Sequence, residues 1–166
     1  ISSGLVGSDM CIRDRSGRRF YFLTGDLARL ELALINFAIE TLCENGYSLT
    51  TPPFLMNREA YEGVVDLTDF EEVMYKIEDH DLYLIATSEH PITARFKNEI
   101  IELKDGPLKF AGISTNFRRE VGAHGISDRG IWRVHQFSKV EQVIICKPED
   151  SKEMHNEILE LSLIHI

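Results

Sequence analysis

The 166 residues include 43% hydrophobic and 27% charged side chains, a balance that fits one globular domain and excludes a disordered or fibrous chain. The formal net charge is −9, the opposite of what a surface built only to grip polyanionic RNA would carry. Three cysteines (Cys11, Cys43, Cys146) suit neither a disulfide framework nor a zinc cage, and no apolar run reaches the roughly 18 to 20 residues of a membrane span, so a reducing cytoplasmic setting away from membranes is expected.

Both ends look foreign to the rest. The stretch Ser8 to Arg15 and the tail Leu161 to Ile166 resemble translated adapter sequence, so residues 1–15 and 161–166 are set apart and a single domain is expected over 16–160. From Asp26 to about Glu44 there is neither proline nor glycine, and Leu27, Leu30, Leu34, Phe37 and Thr41 recur at helical spacing, widened by Ile35, Ile39 and Leu42. Thr24 or Asp26 is expected to cap this helix and Asn45-Gly46 to stop it in the left-handed region, before Tyr47 to Thr51 run extended into Pro52-Pro53. A face that broad should meet more than one partner surface. Residues 57–72 read as short helix and loop, and Val73 to Ile77 with Leu82 to Ala86 as two strands around Glu78-Asp79-His80-Asp81. A helix is predicted from Ser88 to about Glu102, broken by Asp105-Gly106-Pro107. A strand from Leu108 to Glu120, a loop from Val121 to Gly130 and a strand from Ile131 to Cys146 follow. Pro148-Glu149-Asp150 opens a last helix, with proline and acids where a first turn favours them.

Alternation on the two long strands is the most informative pattern. Trp132, Val134, Val140, Ile144 and Cys146 make one face apolar, while Arg133, His135, Phe137, Lys139 and Glu141 share the other. On the partner strand Ile113, Thr115 and Phe117 oppose Ser114, Asn116, Arg118 and Glu120, with small Gly112 leaving room on the polar side. A hairpin that turns both polar rows the same way offers arginines to fork onto phosphate, an aromatic face for a purine and carboxylates for an ammonium. At about 3.3 Å per residue, Arg133 to Phe137 and Phe137 to Glu141 each span roughly 13 Å, together the reach of a nucleotide and a small amino acid. A solvated face with surface ion pairs is the plain alternative.

Phe117-Arg118-Arg119-Glu120-Val121-Gly122-Ala123-His124-Gly125, followed by Asp128 to Gln142 with its run Arg133-Val134-His135-Gln136-Phe137-Ser138-Lys139-Val140-Glu141, resembles the second signature motif of class II aminoacyl-tRNA synthetases in their seryl form. Arg19 to Ala28, with the helix ending at Gly46-Tyr47 and Pro52-Pro53, resembles the first motif, which in that family supports a homodimer. Thr87-Ser88-Glu89-His90-Pro91 resembles the serine-recognition loop in its archaeal-type variant. The likeness covers roughly 16–160. It implies an α/β (α+β) fold in which an antiparallel sheet is flanked by helices, as in the class II catalytic core. The glycine-rich third motif and the N-terminal arm that holds tRNA are not found in these residues.

By the same resemblance, Arg118, Glu120 and Arg133 are the catalytic positions. Arg118 would hold the ATP α-phosphate, Glu120 the adenine amino edge and Phe137 the adenine ring, with Arg119, Arg133 and the backbone at Val134 framing the nucleotide. Glu141, with Thr87 and Glu89, would hold the ammonium and hydroxyl of serine, and Ser88 and Arg118 are counted with them as serine-binding positions. The implied reaction is serine activation by ATP with Mg²⁺ and transfer to tRNA(Ser). No protein metal cage is implied, since His80, His90, His124, His135 and Cys146 match no ligand spacing. Trp132 is read as core and His124 as a loop contact. Two other readings use the same residues: a ligase that loads an amino acid onto a carrier protein, and a non-catalytic paralogue that serves as a binding module. A prolyl or threonyl relative would share the fold, but the run from His135 to Glu141 looks seryl.

Overall fold

The computed structural model describes residues 5–6, 15–66, 71–120 and 133–162. In chain order its elements are β1 (Leu5–Val6), β2 (Phe22–Leu23), α1 (Asp26–Glu44), β3 (Ser48–Thr50), β4 (Leu55–Met56), α2 (Arg58–Glu62), β5 (Tyr83–Leu84), α3 (Glu89–Ala94), β6 (Leu108–Phe117), β7 (Gln136–Ile145) and α4 (Ser151–Leu161). Short 3₁₀ turns cover Glu71–Val73 and Pro148–Asp150, the second leading into α4 as the proline predicts. The fold class matches the mixed α/β expectation.

The main sheet has the order β3-β6-β7, with β3 parallel and β7 antiparallel to β6. The β6–β7 register sets Gly112 opposite Glu141, Ser114 opposite Lys139 and Asn116 opposite Phe137. Residues directly opposite one another in an antiparallel pair share a face, so the two polar rows do turn the same way. The other face, with Ala111 and Val140, packs on Leu42 of α1 and on Tyr47, joined by Ile144 and Leu161. A second apolar cluster of Met56, Tyr61, Met74, Tyr83 and Ile85 lies around the β4–β5 pair and α2.

Helix α1 has the predicted bounds, but its orientation differs from the predicted stripe. The sheet takes Ala38 and Leu42, while Leu30, Leu34 and Phe37 are each more than half exposed, so the helix carries a second apolar side that no described residue covers. The N-cap position is Gly25, without a side-chain capping bond. Asp26 stands inside the first turn, where its charge favours the positive end of the helix. At the other end Tyr47 N–H reaches Leu42 O at 3.0 Å and Gly46 N–H reaches Cys43 O at 3.1 Å. Gly46 takes φ +83°. This paired closure with a left-handed glycine is a Schellman stop, and Tyr47 completes it by packing on Leu42.

Four boundaries depart from expectation. Residues 73–77 make one isolated antiparallel bridge, Lys76 to Tyr83, flanked by the bonds Ile77 N–H to Leu82 O and Leu84 N–H to Tyr75 O at 2.9 Å each, and Val73 is taken up by the 3₁₀ turn before it. The helix expected to reach Glu102 stops at Ala94 and decays into tight turns from Thr93 to Glu99, with Asn98 at φ +62°. The strand expected to reach Glu120 ends at Phe117, since Arg119 N–H turns away to Val73 O at 2.8 Å and Glu120 takes φ +49°. The last long strand begins at Gln136, which leaves Arg133 and His135 off the ladder. The loop call from Val121 to Gly130, together with His124 and Trp132, lies outside the described residues.

Gly46→Ala is expected to lower stability by about 1 kcal/mol, because the position has open space for a methyl but a backbone that L residues rarely adopt. Gly46→Asn should cost less. Equal denaturation midpoints for wild type and Gly46→Ala would contradict this account of the helix stop.

Candidate active site on the hairpin floor

A part-buried carboxylate organises the polar face. Glu141 Oε2 accepts from Thr87 Oγ1 at 2.6 Å, Ser88 Oγ at 2.7 Å and the Glu89 backbone N–H at 3.2 Å, and Oε1 accepts from Lys139 Nζ at 2.5 Å. Lys139 also donates to Thr87 Oγ1 at 2.8 Å. Burial by itself would raise the Glu141 pKa. The hydrogen bonds from Lys139, Thr87 and Ser88 and the lysine charge outweigh burial and hold the carboxyl below its ordinary range.

The loop from Ala86 to Glu89 reaches the floor because Gly112 has no side chain. A Cβ there would stand 2.6 Å from Ile92 Cδ1 and 2.7 Å from Ser88 Oγ, so the room that glycine leaves is filled by these two residues. Sequence reasoning grouped Thr87, Ser88, Glu89 and Glu141, and all four meet here. Glu89 does so through its backbone alone, with its side chain exposed. Gly112→Ala should push Ser88 off Glu141 and destabilise the protein by roughly 1–3 kcal/mol, the usual cost of overpacking. A crystal structure of that variant with the Ser88–Glu141 contact intact would disprove the fit.

At the other end Arg118 lies just beyond β6 yet keeps to the same face. Its guanidinium carbon sits 5.2 Å from the centre of the Phe137 ring, and its Nε donates to Ala86 O at 3.1 Å. The main chain there is held at both strands: Arg118 N–H donates to His135 O at 2.9 Å, and His135 Nδ1 lies 2.8 Å from Arg118 O and 2.9 Å from Tyr75 Oη. A carbonyl only accepts, so the ring carries its proton on Nδ1. Phe20 packs on the same ring, with centroids 5.3 Å apart. Alternation had placed Glu120 and Arg133 on the floor. Both instead sit off the strands, joined by an ion pair of 3.2 Å across the neck of the loop, while Arg119 is exposed and Val134 half-buried. Their expected roles therefore rest on the loop's neck and not on strand alternation.

His90, in the first turn of α3, is buried beside Tyr61, the two rings 5.4 Å apart and edge to face. Burial is the main cause that lowers its pKa to about 4; the attraction of Glu141 opposes it, and smaller repulsions from Lys139 and Arg118 add to it. The folded ring is thus neutral where an unfolded one, near 6.5, has begun to take a proton. Since the unfolded chain then binds more protons, stability is expected to fall as pH drops from 6.5 towards 4. His90→Gln should flatten that portion of a stability–pH profile measured by chemical denaturation, and an unchanged slope would refute the assignment.

Sequence reasoning set Lys139 on the polar row but gave it no partner. Its i, i+2 relation to Glu141 was the available signal. Tyr75 and Phe20, which brace His135, carried none. A cavity of about 420 Å³ lies beside the hairpin, among Tyr21, Leu23, Glu31, Thr115, Phe137 and Ser138. Its lining holds one charged side chain, the acid Glu31, and no cation for a phosphate, so the chemistry points to the Glu141 face.

The family model "tRNA synthetase class II core domain (G, H, P, S and T)" matches residues 72–163, more than half of the chain. The chain belongs to this class II synthetase family. Among similar curated proteins, the serine–tRNA ligase of Methanocella arvoryzae is 58% identical over 144 residues and that of Methanocorpusculum labreanum 60% over 144 residues. Each alignment covers 87% of this chain and 34% of the relative, so the chain spans about a third of the length of the curated relatives it matches. Seryl-tRNA synthetase from Pyrococcus horikoshii, solved with ATP, superposes with a TM-score of 0.86 at 46% identity, covering 93% of this chain and 35% of that one. The cytoplasmic serine–tRNA ligase of Naegleria fowleri, solved with AMP, gives 0.87 at 43% identity, with 95% and 37% covered. The matched residues include the hairpin floor, the Thr87–Glu89 loop and α4.

Proposed function

We propose that this chain is the first- and second-motif portion of a serine–tRNA ligase, spanning residues 16–160, that activates L-serine with ATP and passes the seryl group to tRNA(Ser). The observation that carries the reading is the part-buried Glu141 carboxylate ringed by Thr87, Ser88 and the Glu89 amide, an ammonium and hydroxyl cradle, on the same floor as the Arg118–Phe137 pair. The similarity to serine–tRNA ligases along most of the chain supports it.

In this reading the serine carboxylate attacks the ATP α-phosphorus in line, forming the acyl–phosphate bond as the bond to pyrophosphate breaks. No covalent help from the protein is required. Two anions must be brought together, so alignment and positive charge carry the rate. Arg118 supplies that charge from a held position, its Nε tied to Ala86 O. Phe137 offers its ring to the adenine, Glu120 meets the adenine amino edge, and Arg119, Arg133 and the Val134 backbone frame the nucleotide from the loop's neck. Glu141, with Thr87, Ser88 and Glu89, seats serine. A site whose buried polar groups expect a hydroxyl leaves them unpaired when alanine enters, which supplies the selection.

Mg²⁺ fits as a companion of the ATP phosphates. Among the described residues no three His, Cys, Asp or Glu side chains gather to hold a metal, and Mg²⁺ is commonly bound through substrate phosphates. The uncovered apolar side of α1, with Leu30, Leu34 and Phe37, suits the homodimer contact of the first motif. The reading places the enzyme in the cytoplasm; no described helix is long and apolar enough to cross a membrane.

The full-length protein containing this segment should exchange pyrophosphate into ATP when serine is present and not with alanine, and Arg118→Ala should reduce the exchange by about 10²-fold or more, as for other transition-state charge donors. The 166 residues alone should bind ATP weakly and turn over poorly. Robust serine-dependent exchange by the isolated segment, or a full-length protein that charges a carrier protein but not tRNA, would overturn the reading.

A further inference from the structure

Both oxygens of the Glu141 carboxylate accept hydrogen bonds from the chain itself. Oε2 takes three donors, from Thr87, Ser88 and the Glu89 amide, and these come from one loop pinned over Gly112. An arriving ammonium therefore has two acceptors to use, Glu141 Oε1 and the one lone pair of Thr87 Oγ1 that the Glu89 N–H, 3.4 Å away, does not take. Those are the two atoms that Lys139 Nζ holds, at 2.5 and 2.8 Å. Chemically the lysine head and a substrate α-ammonium are the same group, a compact cation with three donors.

We propose that Lys139 is a built-in occupant of the substrate-ammonium subsite, resting on Glu141 in the empty enzyme and displaced by the amino group of the incoming amino acid. This inference rests on the serine-binding reading of Glu141 given above and adds to it a competitor within the chain. The three groups on Oε2 are poorly placed to yield, because two are short side chains and one is backbone. Lys139 has a flexible four-carbon stem and stays 27% exposed, so it has somewhere to go. The exchange replaces one ammonium by another. Glu141, whose side chain is 19% exposed, keeps a cation beside it throughout. The same arrangement keeps Thr87 oriented before substrate arrives.

An internal competitor lowers apparent affinity by the fraction of empty sites that it leaves open. If lysine holds nine sites in ten, removing its charge tightens binding of an ammonium ligand by about tenfold. Serinol is the deciding probe: it carries the ammonium and hydroxyl of serine but no carboxylate, so contacts to a substrate carboxylate do not enter. In calorimetric titrations of the full-length protein, Lys139→Met and Lys139→Gln should each bind serinol about tenfold more tightly than wild type, while Lys139→Arg, which keeps a cation on Glu141, should stay near wild type. ATP affinity serves as the check that each variant is folded, and the two neutral variants guard against one that is not.

Serinol affinity that is unchanged or weaker in the folded neutral variants would overturn the inference, leaving Lys139 as a brace for Thr87. A wild-type protein with no serine-dependent pyrophosphate exchange would instead overturn the ligase reading, and this inference with it. Exchange-competent wild type with no gain in the neutral variants overturns the inference alone.

Discussion

A carboxylate out of water must be matched by donors, and the arrangement around Glu141 follows from that requirement. Its four donors come from two places in the chain, the Thr87–Ser88 hydroxyls with the Glu89 amide at the start of α3, and Lys139 on the same strand, while the bare backbone of Gly112 lets the loop approach. Moving the β6–β7 register by one residue would turn Glu141 towards α1, where the opposing residues are apolar. The apolar contacts of Leu42, Ala111 and Val140 on one side therefore hold in place the polar chemistry of the other. Core and site are two faces of one pairing.

Much of this was legible because strand alternation is a short-range rule. Phe137, Lys139 and Glu141 share a face wherever the strand is regular, and Gly112, Ser114 and Asn116 oppose them by register. The rule failed where the ladder ends. Glu120 and Arg133 obey alternation on paper, but the amide of Arg119 prefers the carbonyl of Val73, a residue far away in sequence, and the strand stops short. Helix α1 shows the same division: its length follows from composition and its stop from Gly46, whereas the side that meets the sheet is decided by packing with Ala111 and Val140. Periodicity reports that a helix has apolar sides, and only tertiary contacts choose between them.

Long-range hydrogen bonds explain what sequence could not show. Nothing about Tyr75 or Phe20 marks them as neighbours of His135, yet together they fix that ring, and its Nδ1 proton then holds the Arg118 carbonyl. Identity with serine–tRNA ligases shows the kinship of the chain without revealing such bracing. Geometry supplies the reason why Arg118 stands over Phe137 rather than in solvent.

The contacts of Arg19 carry a further consequence. Its guanidinium donates to the Glu120 carbonyl at 3.0 Å while its own carbonyl accepts from His135 N–H at 3.1 Å, so this one residue ties together the chain just after β6 and just before β7. It works as a strap, with leverage at a point 101 residues away. Loosening this strap would slacken the strand ends at Glu120 and His135, although every side chain of the floor itself would be untouched.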